Sequence, residues 1–246
     1  MAEWWQVSWK RVAVALVIVF FAVPALIGAG LWLVSYQLGP IRVARALAEA
    51  QPIVNSVPAQ LHDLRTGPLH GALVERFGVT LQLPWPEPKN IHDSDAYAFL
   101  IGESYIVDLS NPEWESHHLD FLRSVQETQL GPRLDGTEYN EVARSISAHS
   151  DQLHWWRLPS ENRRIAAQLL QKAWLLRSMT QSTSVYAIHF GGMRGYQIGV
   201  PPGSVTLVLF DSRDREYRID IAKKKGSEAL TQPEVNAIVA SMRRSL

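Results

Sequence analysis

A single unbroken apolar stretch, Val12 to Tyr36, limits what this chain can be more than any other feature. No charged side chain stands between Arg11 and Arg42. The run Val12-Ala13-Val14-Ala15-Leu16-Val17-Ile18-Val19-Phe20-Phe21 continues through Leu26, Ile27, Leu31, Trp32, Leu33 and Val34. At about 1.5 Å per residue, Val12 to Val34 forms a helix of roughly 35 Å, enough to cross a hydrocarbon layer of about 30 Å. The ends suit that reading. Trp4, Trp5 and Trp9 precede the run, Trp32 and Tyr36 close it, and Lys10, Arg11, Arg42 and Arg45 mark its borders. Indole and phenol rings favour the headgroup level, where an apolar ring and a polar edge are both satisfied. Pro24 inside the run predicts a bend, which a membrane helix tolerates when the freed carbonyl finds another donor. Gly28 and Gly30 do not make a complete GxxxG contact motif.

A cleaved signal peptide is the competing reading, because basic residues precede the run and small ones follow. A signal core spans roughly 7–15 residues, whereas this run goes on through Leu31-Trp32-Leu33-Val34. The expectation is therefore an uncleaved signal anchor at residues 12–36, behind a stub of residues 1–11. Basic residues tie across the two borders, so the positive-inside count does not set the orientation. A short stub before a long domain, and 246 residues without a cysteine, point to an extracytoplasmic domain.

Past the anchor, roughly 200 residues suffice for a domain with a real core. That remainder is mildly acidic, which argues against nucleic acid, since displacing counterions takes a concentrated basic surface. Lys223-Lys224-Lys225 reads as a solvated turn.

Residues 37–76 read as a helical juxtamembrane spacer: a short helix Ile41–Gln51, then pieces cut by Pro52, Pro58, Gly67 and Pro68. Leu69-Ala72-Leu73-Phe77 is the most periodic of these. Val79 to Leu83 is a strand, and Pro84-Trp85-Pro86-Glu87-Pro88 a stiff connector. Ala96–Ile101 and Tyr105–Leu109 form a hairpin, with Gly102 supplying positive φ at its turn. Asn111-Pro112-Glu113 starts a helix carrying Trp114, His118, Phe121, Leu122 and Val125 on one face. Further helices start at Thr137 (Tyr139, Val142, Ala143, Ile146) and Ser160 (Ile165, Leu169, Leu170, Ala173, Leu176). Strands return at Val185–Phe190, Tyr196–Val200, Val205–Phe210 and Tyr217–Ile221. In the last, Arg218 and Asp220 alternate with apolar residues, predicting a wet face. Thr231-Gln232-Pro233-Glu234 is a capping box before Val235, Ile238, Val239 and Met242. The fold class is α+β, with residues 77–246 as one extramembrane domain of antiparallel hairpins and helices. Hairpin-then-helix order occurs at 96–125 and 205–242. Shared hairpin logic explains it without a true repeat.

Gly195-Tyr196-Gln197-Ile198-Gly199, Thr231-Gln232-Pro233-Glu234-Val235-Asn236, and Phe77-Gly78 leading to Pro84-Trp85 resemble uncharacterised bacterial single-span membrane proteins. The resemblance implies a bacterial source and one folded unit. It implies no activity and carries over no catalytic residue.

Candidate chemistry is sparse. Glu113, His117 and Asp120 stand at i, i+4 and i+7, a spacing that can hold a divalent metal, although acids belong in a first helical turn anyway. His92-Asp93-Ser94-Asp95 and His149-Ser150-Asp151 set a base beside carboxylates, as acid–base catalysis needs, but also read as turns and caps. Gly191-Gly192-Met193-Arg194-Gly195 reads as a hairpin turn with Arg194 in solvent. Trp155, Trp156 and Arg157 are the most suggestive binding patch, since exposed tryptophan and arginine anchor interfaces; tryptophans buried between helices would spell the same letters. The sequence thus points to a membrane-tethered domain binding a protein or other envelope partner, with no cofactor and no nucleic acid. The alternative is a membrane-tethered hydrolase or metal-dependent enzyme using His117, His92 or His149.

Overall fold

The structure is a computed structural model and describes residues 21, 23–61, 63–113, 137–176, 184–190 and 192–244. Helix α1 (Val23–Ala50) carries the second half of the apolar run and does not stop where that run ends. It passes through Pro40, so the separate short helix expected at Ile41–Gln51 is its continuation. Proline inside a helix loses one backbone hydrogen bond and costs about 3 kcal/mol. Burial of Leu38, Ile41, Ala44 and Leu47 against the domain opposes that loss. The first half of the apolar run, residues 12–20, lies outside the described residues with residue 22. Among the described residues, no helix is long and apolar enough to cross a membrane.

The expected helical spacer at 37–76 is helical only as far as a 3-10 turn, Pro52–Asn55, which buries Ile53 and Val54. Beyond it none of the described residues up to Arg76 is helical, and the segment packs into the domain. Strand β1 (Ala59–Gln60) pairs parallel with β7 (Val185–Phe190) at a sheet edge. Leu61, Ala72 and Val74 enter the core. Asn236 Nδ2 donates to the carbonyls of Asp63 (2.8 Å) and Arg65 (2.7 Å), and Gly67 N–H to that of Pro233 (2.7 Å). The run that mimicked a helix at Leu69–Phe77 is β2 (Leu73–Arg76), hairpin-paired with β3 (Val79–Gln82). Two features overrule the helical spacing. Val74 is buried while Leu73 and Glu75 are exposed, a period of two. Phe77 and Gly78 have φ of 50° and 72°, the paired positive values of a two-residue hairpin turn.

The main sheet adds β4 (Asn90–Asp93), β5 (Tyr97–Ile101), β6 (Tyr105–Ser110), β8 (Met193–Ile198), β9 (Val205–Phe210) and β10 (Glu216–Lys223). Its order is β1-β7-β8-β9-β10-β6-β5-β4, antiparallel except at β1. Residues 105–109 and 217–221 thus lie side by side, with Ile221 opposite Val107 and Asp220 opposite Asp108. At the β5–β6 turn Gly102 does not adopt positive φ. A Cβ there would stand 2.2 Å from the Tyr105 ring, so the glycine makes room for the tyrosine.

One sheet face is covered by helix α4 (Gln232–Ser241, as its capping box predicts) and by the small sheet β2-β3-β11, whose last strand is Arg243–Arg244. Val107, Leu207, Leu209 and Ile219 there meet Leu81, Val235 and Ile238. On the other face lie α2 (Glu138–Ser147) and α3 (Pro159–Leu175), where Val142, Ile146 and Leu175 meet Ile198, Val208 and Phe210. A third cluster ties α1 to α3 through Ile41, Ala44, Ile165 and Leu169. Proline at the first position starts α3, one residue ahead of the expected Ser160.

Helix α2 has a double cap. Thr137 Oγ1 accepts from Asn140 N–H at 3.3 Å. The Asp214 carboxylate, reaching over from the β9–β10 loop, accepts from the backbone N–H of Glu138 and of Tyr139. Asp214→Ala leaves both donors bare, and denaturant titration should show a loss of about 1–2 kcal/mol, the cost of a deleted cap, whereas Asp214→Asn should keep most of it.

Candidate functional site

The His154–Pro159 loop is held rigidly although its rings face out. Leu153 is buried at its start. Asn162 pins His154 at both backbone groups, with Nδ2 donating to its carbonyl (2.7 Å) and Oδ1 accepting from its N–H (3.3 Å). From α1, Gln37 Nε2 donates to the carbonyls of Trp155 (2.8 Å) and Arg157 (2.5 Å). So fixed, Trp155 is 69% exposed and Trp156 65%, which answers the question the letters left open. The rings support each other, His154 stacking on Trp156 at 4.3 Å and Trp155 meeting Trp156 edge-on at 5.7 Å.

These tryptophans stand beside the apolar half of α1. A groove of about 640 Å³ runs between them, lined by Leu33, Val34, Leu38, Trp155, Trp156 and Pro159, with Gln37 and Arg157 at its polar edge. From Pro24 to Ser35 every side chain of α1 is exposed, Leu26, Leu31 and Trp32 among them. At the foot of that half Trp32 stacks on Tyr36 (5.2 Å), and the Arg163 guanidinium sits 3.4 Å over the Tyr36 ring. The result is one continuous apolar surface with aromatic rings at its border.

No protein family, curated protein or solved structure matches this chain. The site must therefore be read from its own residues.

Of the other sequence candidates, the described histidines His92 and His149 sit on separate elements. His92 lies on β4, an exposed edge strand whose Asp93 pairs with Arg76 at 3.1 Å. His149 caps a 3-10 turn, its Nδ1 accepting from Asp151 N–H at 3.2 Å. Asn111 Oδ1 accepts from Glu113 N–H at 3.0 Å, as a cap should; His117 and Asp120 lie outside the described residues. Among the described residues, no three His, Asp or Glu side chains gather as a metal site. The hairpin turn expected over residues 191–195 gives way to strand from Met193, which pairs with Phe190, and the partly exposed Arg194 is not free in solvent. Its guanidinium lies 4.1 Å over the Tyr139 ring and 3.5 Å from Asp214. Two residues of the lysine run are likewise committed. Lys223 Nζ is 3.3 Å from Glu234, and Lys224 Nζ donates to the Gly102 carbonyl at 2.7 Å.

Two polar groupings go beyond the sequence reading, one on β10 and one where Trp85 joins the Thr231–Glu234 capping box. The face of β10 expected to be wet is largely closed, with Glu216 and Arg218 buried and Thr206 Oγ1 donating to Asp220. Alternation predicts which side chains share a face, not whether that face meets water. The second grouping gathers on Glu234. Its carboxylate accepts from the Trp85 indole N–H (2.6 Å) and from the Thr231 N–H (2.8 Å) and hydroxyl (3.0 Å).

Proposed function

We propose that this protein is a single-pass, membrane-anchored α+β domain of the bacterial envelope, seated on the bilayer through its Trp155-Trp156 loop. The reading rests on the joining of two apolar surfaces, the all-round exposed stretch Pro24–Ser35 and the tryptophan loop beside it. A helix apolar on every side belongs in a protein core or in lipid, and here no described side chain covers it. Val23 to Val34 alone makes only about 18 Å of helix, so residues 12–22 are needed to complete the crossing. Trp32, Tyr36, Trp155 and Trp156 then form the aromatic belt expected at headgroup level. The lipid itself is the partner of the loop. A cysteine-free chain suits the extracytoplasmic side, and the resemblance to bacterial single-span proteins suits the envelope.

Two measurements test this. The full chain, reconstituted in vesicles containing brominated lipid, should lose more tryptophan fluorescence than its Trp155→Phe/Trp156→Phe variant. Equal quenching would put the loop away from lipid. Because there is no native cysteine, Lys225→Cys gives a unique label. An impermeant maleimide added to intact spheroplasts should modify it, and protection until lysis would reverse the topology.

A further inference from the structure

Next to the tryptophan groove lies a second one, of about 540 Å³, between the end of α2 and the first turns of α3. Its lining includes Arg144, Arg157 and Arg164 together with the polar side chains of Ser147, Gln152 and Gln168. Among the described residues, no carboxylate lines it. Among the described residues none of the three arginines has an ion pair, although the chain holds as many acidic as basic side chains. Three unneutralised guanidiniums around one concavity repel one another unless an anion is there to share. Arg157 also borders the apolar groove, so the basic and apolar concavities meet at one side chain.

Resting on the membrane reading above, we infer that the paired grooves bind one anionic phospholipid. Arg144, Arg157 and Arg164 hold its phosphate, and an acyl chain lies along Leu33, Val34, Trp155 and Trp156. The arrangement suits such a ligand in both parts. Guanidinium forks match the paired oxygens of a phosphodiester, and hydrogen bonds to a charged acceptor are the strong ones. The apolar groove takes a chain that a free phosphate does not have. A lipid held this way would set the rotation of the domain about its anchor, because its two ends fix the α2–α3 edge against the bilayer.

The test uses the full chain in neutral detergent micelles, with phosphatidylglycerol, phosphatidylcholine or inorganic phosphate added and lipid adducts read by native mass spectrometry. One phosphatidylglycerol per chain should be retained in preference to phosphatidylcholine. Arg144→Gln with Arg164→Gln should weaken that retention about tenfold or more, the loss expected for two charge-assisted contacts, while Arg144→Lys with Arg164→Lys should restore most of it. Both positions are exposed, so circular dichroism should report an unchanged fold. Equal retention of the two lipids, or unchanged retention in the glutamine variant, would overturn the headgroup site. Displacement of phosphatidylglycerol by millimolar inorganic phosphate would overturn it too, since the acyl chain would then contribute nothing. Failure of the membrane reading shows differently, as a chain that stays folded and monodisperse without detergent and quenches equally in the brominated-lipid experiment.

Discussion

Replacing Trp85 by alanine should lower the unfolding free energy by about 3–5 kcal/mol, the range for deleting a buried aromatic side chain, and guanidinium titration at neutral pH would show it. The indole is buried in the core cluster shared by the two sheets and α4. It stacks on Tyr105 at 4.7 Å and lies under the Lys223 ammonium at 4.8 Å. Its N–H is the shortest contact of the Glu234 carboxylate, so the same truncation strips a partner from a half-buried charge. Burial pushes the Glu234 carboxyl up, but the Trp85 indole, the Thr231 N–H and hydroxyl and the Lys223 charge together outweigh it, and the group ends below its ordinary value. A carboxyl lowered in the folded state adds stability above its unfolded value, and that stability disappears as pH falls through the folded one. Trp85→Phe separates the two contributions. It keeps most of the apolar contact and should cost less at neutral pH, yet the difference from the native chain should shrink as the carboxyl protonates in acid. A cost independent of pH would mean that the indole N–H does nothing for Glu234.

Trp85 also shows where sequence reading stops. Pro84-Trp85-Pro86-Glu87-Pro88 reads as a connector because its prolines forbid helix and ladder. That local inference says nothing of a ring that turns inward to meet Glu234, far along the chain. Where the information is local, the letters suffice. The Thr137 and Thr231 caps, the hairpin at 96–109 and the strands at 205–221 each depend on residues a few positions apart. Leu69-Ala72-Leu73-Phe77 has an apolar spacing that fits a helix as well as a strand, and only the pairing of β2 with β3 decides between them. The site divides the same way. Trp155, Trp156 and Arg157 are visible as letters, but their exposure depends on how Asn162 and Gln37 hold the loop. Arg144 and Arg164 sit on different helices and carry no motif at all; only the packing of α2 on α3 makes them one surface.

Stability should rise, not fall, as the native chain is taken from pH 8 towards 10, and Lys172 is the reason. This lysine on α3 is fully buried, its Nζ donating to the carbonyls of Ser56 (2.5 Å) and Ala148 (2.9 Å). It thereby joins the end of the 3-10 turn, the end of α2 and the body of α3. The carbonyls favour the ammonium form, but burial disfavours it more and pushes the group down to about 8 from 10.5. For a base lowered in the folded state, the unfolded chain holds the extra proton between those two values. Each pH unit across that window then adds stability to the folded form. Measured against Lys172→Met, the native chain should gain roughly 2–3 kcal/mol between pH 8 and 10. The comparison matters because buried Tyr105 (pushed up to about 12), Tyr196 and Tyr217 act in the opposite sense above pH 10, where unfolded tyrosines lose protons first. Those tyrosines are common to both proteins and cancel in the difference. At pH 7 the methionine variant removes a costly charge but leaves two buried carbonyls without a donor, so the slope is the diagnostic quantity. A difference that stays flat from pH 7 to 10 would mean that the two carbonyls hold the ammonium fully charged, and that burial does not set its proton affinity.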